Sequence, residues 1–253
     1  MTTDGGTIGA VGRTLDVVEY LREHGVATPS TVAAELDMSK STAHRHLRTL
    51  EDREYVVERD DGFHLGLRFL DLGEFTRRCR PEYRLAKEKV VELADEVDER
   101  VQFMVEEHGR AVYVHQHSGR RAVEADTHPG KRVPIHASAA GLAILAEPSS
   151  TTVDRIVDRH GLPSVTGKTL STREALKREL RATRERGYSV NDQGIIEGLR
   201  AIGAPVTGPD GGVIGGLSIS GPIHRMEGER LEEHIPSLLL GATNELELNI
   251  AYQ

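Results

Sequence analysis

The stretch TPSTVAAELDMSKSTAHRHLRTLEDREYV, Thr28 to Val56, decides the fold. Thr28 or Ser30 offers an N-cap, Pro29 suits a first helical turn, and Val32, Ala33 and Leu36 make an apolar face. Asp37 and Met38 break the pattern. Ser39 then caps a second helix in which Ala43, Leu47 and Leu50 recur at i, i+4 and i+7. Upstream, Arg13 to His24 carries Leu15, Val18 and Leu21 at helical spacing with Val17 beside them, and Gly25 ends it. Three short helices with a tight turn between the second and third make a helix-turn-helix. Asp37 stands in that turn where glycine is commoner, and aspartate tolerates the left-handed backbone required there.

Downstream, YVVER, DDG and FHLGLR read as a hairpin turned at Asp-Gly, which completes a winged helix near residue 66. A helix that enters the major groove needs a buried face and a face of short polar residues and arginine. The outward positions are Lys40, Ser41, Thr42, His44, Arg45 and Arg48, with no acid between Ser39 and Leu50. Arg45 suits a bidentate contact to guanine, and Thr42 a thymine methyl or a phosphate. Arg59 on the wing and the helix's N-terminal amides suit phosphates. The bland alternative is a solvated helix with incidental arginines. The well-placed wing favours double-stranded DNA as the partner.

Residues 1–10, rich in Thr and Gly, read as a disordered tail, and 11–66 as the winged helix-turn-helix. Helices from Leu67 to Cys79 and from Glu82 to Glu99, broken at Pro81, make a helical linker over 67–99. The remainder, 100–253, mixes strands (VQFMVEE, RAVYVHQHS, YSV, GLRAIGAPV, GVIGGLSISG) with helices (HASAAGLAILA, TTVDRIVDRHG, STREALKRELRATRERG). A last helix spans Glu227 to Tyr252, and Pro236 should kink it. The fold class is α+β, with helices on an antiparallel sheet.

In order along residues 12–252, RTLDVVEYL, the helix-turn-helix, the DG wing, VPIHASAAGLAILA, EGLRAIGAPV and GGLSISGP resemble the IclR family of transcription regulators. The resemblance implies an effector-responsive regulator with a GAF-like α/β effector-binding domain, dimerising through the linker into a homodimer or homotetramer. It implies a small organic acid or aromatic effector, and carries effector positions onto Ala139, Ala140, Asn191, Ala201, Ser218 and Ser220. Asn191 departs from the acidic residue common there, so Asp192 is a stand-in. Ala201 replaces a residue that is often cysteine. The residues themselves point the same way: Ser138, Ala139 and Ala140 open a helix whose amides favour a carboxylate, and Ser218 and Ser220 share one strand face. Small residues and satisfied strand serines are equally ordinary packing. Arg200 reads as a carboxylate partner or as an ion pair with Glu197, the second preferred.

Other features carry less. His115 and His117 share a strand face without a third ligand, so no metal is expected. The glycines over 211–216 lack the Lys-Ser/Thr of a phosphate loop, no GxSxG nucleophile motif occurs, and no cofactor is expected. Cys79, the only cysteine, excludes an intrachain disulfide and fits a cytoplasmic protein. A ligand-converting enzyme is the alternative, and the acid/base or nucleophile cluster it needs is not visible.

Composition complicates the DNA reading. The 253 residues carry a net charge of −8, and the 32 bases include 26 arginines. Residues 1–75 hold 8 Lys and Arg against 14 Asp and Glu, so the expected DNA-binding part is the more acidic. Low lysine, abundant acid and no tryptophan fit the high-salt cytoplasm of a halophilic archaeon.

Overall fold

Gly25 closes the first helix, α1 (Gly9–His24), at φ 79° with its amide on the Leu21 carbonyl at 2.9 Å. The structure is a computed structural model and describes residues 6–252. Of the tail expected over 1–10, residues 1–5 lie outside the described residues, and Gly9 and Ala10 are already helical. The inward face of α1 is Val17 and Leu21. Leu15, expected to point inward, is 59% exposed on a second apolar stripe with Ile8 and Val11.

Thr28 caps α2 (Pro29–Glu35) in a capping box: its hydroxyl accepts from the Thr31 amide, and the Thr31 hydroxyl accepts from the Thr28 amide. Asp37 takes the turn at φ 45°. Ser39 caps α3 (Lys40–Asp52), accepting from the Thr42 amide at 3.2 Å. Strands β1 (Val56–Arg59) and β2 (Gly62–Leu65) pair from Val56↔Leu65 to Arg59↔Gly62. Phe63 and Ala27 exchange amide-to-carbonyl bonds at 2.8 and 3.0 Å, lashing the wing to the entrance of α2. Phe63, Val17, Leu21, Val32, Ala43 and Leu47 form the core of this unit. A further helix, α4 (Arg68–Arg78), follows the wing.

The chain divides into two compact units between Thr76 and Arg77. The linker expected over 67–99 is two helices separated at Cys79-Arg80, with Pro81 at the start of α5 (Pro81–Val97). α5 lies within the second unit's core because Ala86, Val90, Leu93 and Val97 form an apolar stripe, buried there against a sheet and the last helix of the chain.

That sheet is antiparallel throughout. It holds β3 (Arg100–Glu107), β4 (Arg110–Ser118), β5 (Arg132–Pro134), β6 (Ser189–Asp192), β7 (Leu199–Thr207) and β8 (Val213–Pro222), in the order β5-β4-β3-β8-β7-β6. Alternation along each strand sorts side chains to two faces. Val101, Phe103, Ile202, Ala204, Leu217 and Ile219 meet α5 and the last helix, α9 (Ile235–Ala251). Met104, Ala111 and Tyr113 meet α6 (Ala139–Ala146), α7 (Ser150–His160) and α8 (Arg173–Arg186). The kink expected at Pro236 takes the form of a π-helical turn, Arg230–His234, just before α9. Proline lacks the amide that would continue an α-helical ladder, so the preceding turn widens.

Candidate functional site

On α3 the buried stripe turns the opposite face to solvent. Lys40, Ser41, His44, Arg45 and Arg48 are exposed and Thr42 is half-buried. The hydroxyls of Ser41 and Thr42 sit 3.0 and 2.8 Å from the capping Ser39 hydroxyl. Lys40 and Arg45 make no ion pair among the described residues. Arg48 differs: its guanidinium reaches Glu51 at 2.5 Å and Glu58 of the wing at 3.0 Å, and those carboxylates hold its pKa above the ordinary arginine value. The acid-free run from Ser39 to Leu50 is thus flanked by acids that the fold brings to its last turn. Arg59 is exposed at the end of β1.

The second unit contains a pocket between the sheet, the start of α6 and the loops over 119–131 and 193–198. Ser138, Ala139, Asn191, Ala201, Ser218 and Ser220 all line it, although they come from four separate stretches of chain. Ala140 does not; it packs into the core beneath α6. Asp192 does not either. It pairs with Arg200 Nε at 3.1 Å, so the partner of Arg200 is Asp192 rather than the expected Glu197. Arg200 also donates to the Met226 carbonyl at 2.7 Å.

Several of these groups are already engaged. The Ser138 hydroxyl caps α6 by accepting from the Gly141 amide at 3.0 Å. Asn191 donates to the Ala137 carbonyl at 2.7 Å and accepts from the Gly194 amide at 2.9 Å, fastening the edge strand β6 to the entrance of α6. Ser218 donates to Gln102 at 2.9 Å, and Gln102 donates to Ser220 at 2.8 Å.

Arg100, Gln102, Tyr113 and Thr127 also line the pocket and were not singled out in the sequence. The signal was available for two of them: Arg100 and Gln102 alternate with Val101 and Phe103, a polar face at the start of the strand. Arg100 is 8% exposed, and burial lowers its pKa from the ordinary arginine value. Burial pushes the Tyr113 phenol up to about 12. Among the described residues no group of three or more His, Cys, Asp or Glu could hold a metal ion.

Residues 10–60 match the IclR helix-turn-helix domain and residues 83–245 match the bacterial transcriptional regulator IclR C-terminal domain. The chain belongs to the IclR family. The HTH-type transcriptional regulator ArcR of Halobacterium salinarum is 27% identical over 247 residues, covering 96% of this chain and 94% of that protein. A regulator from Rhodococcus sp. RHA1 has the same fold at TM-score 0.83 with 26% identity, over 96% of this chain and 98% of that one. An IclR homologue from Microbacterium hydrocarbonoxydans, crystallised with 4-hydroxybenzoate, aligns at TM-score 0.78 with 25% identity, over 95% of this chain and 98% of that one. This IclR protein is therefore a transcriptional regulator with a DNA-binding N-terminal unit and a C-terminal effector-binding unit, and not an enzyme. Among its described residues no helix is long and apolar enough to cross a membrane.

Proposed function

We propose that this IclR regulator acts in the cytoplasm on a roughly palindromic double-stranded operator, as a homodimer or a dimer of dimers, under control of a small organic acid. The carrying observation is the pocket, which gathers Ser138, Ala139, Asn191, Ala201, Ser218 and Ser220 from distant stretches of chain around one opening. A family member holding 4-hydroxybenzoate supports an organic acid as the class of effector. Exposed apolar residues support self-association: Ile8 just before α1, Val11 and Leu15 on it, and Leu70 and Phe75 on α4. Two-fold symmetry in the protein calls for two-fold symmetry in the operator. Lys40, Ser41, Thr42, His44 and Arg45 form the reading face of α3, with Arg45 on a base edge and Arg59 on a phosphate. Arg48 joins them once its acids are displaced. In the pocket, Ser218 or Ser220 and the amide of Ala139 at the start of α6 receive the ligand.

The test is operator binding by the full chain, read by mobility shift. Arg45→Ala should cost about 1–3 kcal/mol on the cognate site through loss of one base contact. An unchanged shift refutes this placement of α3. A thermal-shift screen of metabolites tests the effector half.

A further inference from the structure

Arg100 is a buried cation without a counter-ion. It stands on β3 directly opposite Ser220 of β8, with Gln102 opposite Ser218 two residues on. Its Nη1 donates to the Thr127 hydroxyl at 2.8 Å and to the Ala125 carbonyl at 3.3 Å, which tethers the loop over 119–131. Its Nε is buried with no hydrogen-bond partner, and no carboxylate among the described residues lies within ion-pair distance. Glu124 acts on it only from farther off. Tethering a loop does not require a guanidinium stripped of water, because a neutral donor would do the same at far lower desolvation cost. A buried charge left unpaired in an otherwise satisfied site marks the place of a missing partner.

The neighbouring groups have the matching polarity. Gln102 exchanges hydrogen bonds with both Ser218 and Ser220. Whichever way round its amide sits, one of the two hydroxyls is an acceptor to Gln102 and keeps its own hydrogen to donate elsewhere. The walls beyond are apolar: Met104, Val123, Ile195, Ile196 and Leu199.

We infer that Arg100 is the anion anchor of this pocket, and that the ligand is a small monocarboxylate with an alkyl or aryl body. Its carboxylate sits between the Arg100 guanidinium and the Ser220 hydroxyl, and its body lies against Met104, Ile195, Ile196 and Leu199. A planar guanidinium suits a carboxylate by offering two parallel donors. A polyhydroxylated sugar acid fits poorly, since those apolar walls would leave its hydroxyls without partners. The inference rests on reading this pocket as the effector site.

The experiment is isothermal titration of the full-length protein with matched pairs: benzoate and benzamide, phenylacetate and phenylacetamide, 3-methylbutanoate and its amide. At least one acid should bind, with its amide at least tenfold weaker. Arg100→Gln should weaken that acid at least tenfold, and Arg100→Lys should recover part of the loss. Equal affinity for acid and amide, unchanged binding by Arg100→Gln, or no binding by any acid overturns the anchor. A thermal-shift screen that includes neutral and polyhydroxylated compounds separates the two readings. Stabilisation by a neutral compound alone removes the anchor while the effector site stands. No stabilisation by any compound removes both. Circular dichroism checks that Arg100→Gln is folded; where it is not, the acid-over-amide preference of the unmodified protein decides.

Discussion

Arg48 of α3 lies 3.0 Å from the carboxylate of Glu58 on the wing, so α3 and the wing are joined by an ion pair. The same guanidinium holds Glu51 at 2.5 Å and lies over the Phe63 ring, 5.7 Å from its centre. Arg48 is half exposed, so the pairs contribute little stability, and their effect falls on the charge that DNA meets. Replacing both acids, Glu51→Gln with Glu58→Gln, should tighten binding to an arbitrary duplex several-fold at low salt. The slope of log affinity against log KCl should steepen by about 1 as one more phosphate contact forms. Anisotropy titrations across KCl concentrations measure both, and an unaltered slope would mean that Arg48 does not face DNA.

Gly203 of β7 lies against the backbone where α6 begins. A Cβ there would stand 2.5 Å from the Ala139 carbonyl oxygen, and backbone yields little. Gly203→Ala should destabilise the protein by about 1–3 kcal/mol through overpacking and should blunt any effector-induced rise in melting temperature. Urea denaturation reports the first effect, and thermal melts with and without effector report the second. A variant as stable as the parent would show that α6 can lift away from the sheet.

Glu99 is 1% exposed and receives both Arg225 Nε and Nη2 at 2.8 Å, with Arg230 at 3.6 Å. Removing the charge leaves two arginines around a buried neutral group. Glu99→Gln should cost about 3–5 kcal/mol. Chemical denaturation measures it, and a loss under about 1 kcal/mol would mean that water already serves those arginines.

His136 is buried and donates a single hydrogen bond from Nε2 to the Pro163 carbonyl, 3.2 Å away. Burial holds its imidazole below the ordinary 6.5. A depressed folded-state pKa means that the unfolded chain takes up the proton first. The associated stability is complete above about pH 6.5 and is lost as pH falls through the folded value. Urea midpoints from pH 7.5 to 5 should decline for the parent and decline less for His136→Gln. Parallel curves would sink this assignment.

The sequence was most readable where one residue type solves a local problem. Thr28, Ser39, Gly25 and Asp37 stand at the caps and the turn they suit, because capping is settled within a few residues. The first helix was harder: Leu15 and Val17 are both apolar, and only the packing of α2, α3 and the wing selects Val17. Glu51 and Glu58 come to Arg48 through the wing hairpin, which the clean run from Ser39 to Leu50 does not foretell. In the pocket, Ser218 and Ser220 were visible from strand alternation. The same alternation puts Arg100 and Gln102 on one face, but that Arg100 has no counter-ion among the described residues is knowable only when every neighbour has been placed. β5 escaped notice for a simpler reason: three residues carry too little pattern.

The glycines under α6 set how the pocket can respond. A Cβ at Gly216 would stand 2.8 Å from the Ala140 carbonyl oxygen, and one at Gly203 would strike the backbone at Ala139, so helix and sheet touch main chain to main chain. Such a contact has no side-chain rotamers with which to absorb a shift. α6 and the strands below it make a stiff anvil, and the opposite walls are the loops over 119–131 and 193–198, held through side chains such as Arg100 to Thr127 and Thr166 to the Gln193 carbonyl. A ligand pressing on this unit should therefore transmit its signal outward through those loops, with α6 as the fixed point against which they move.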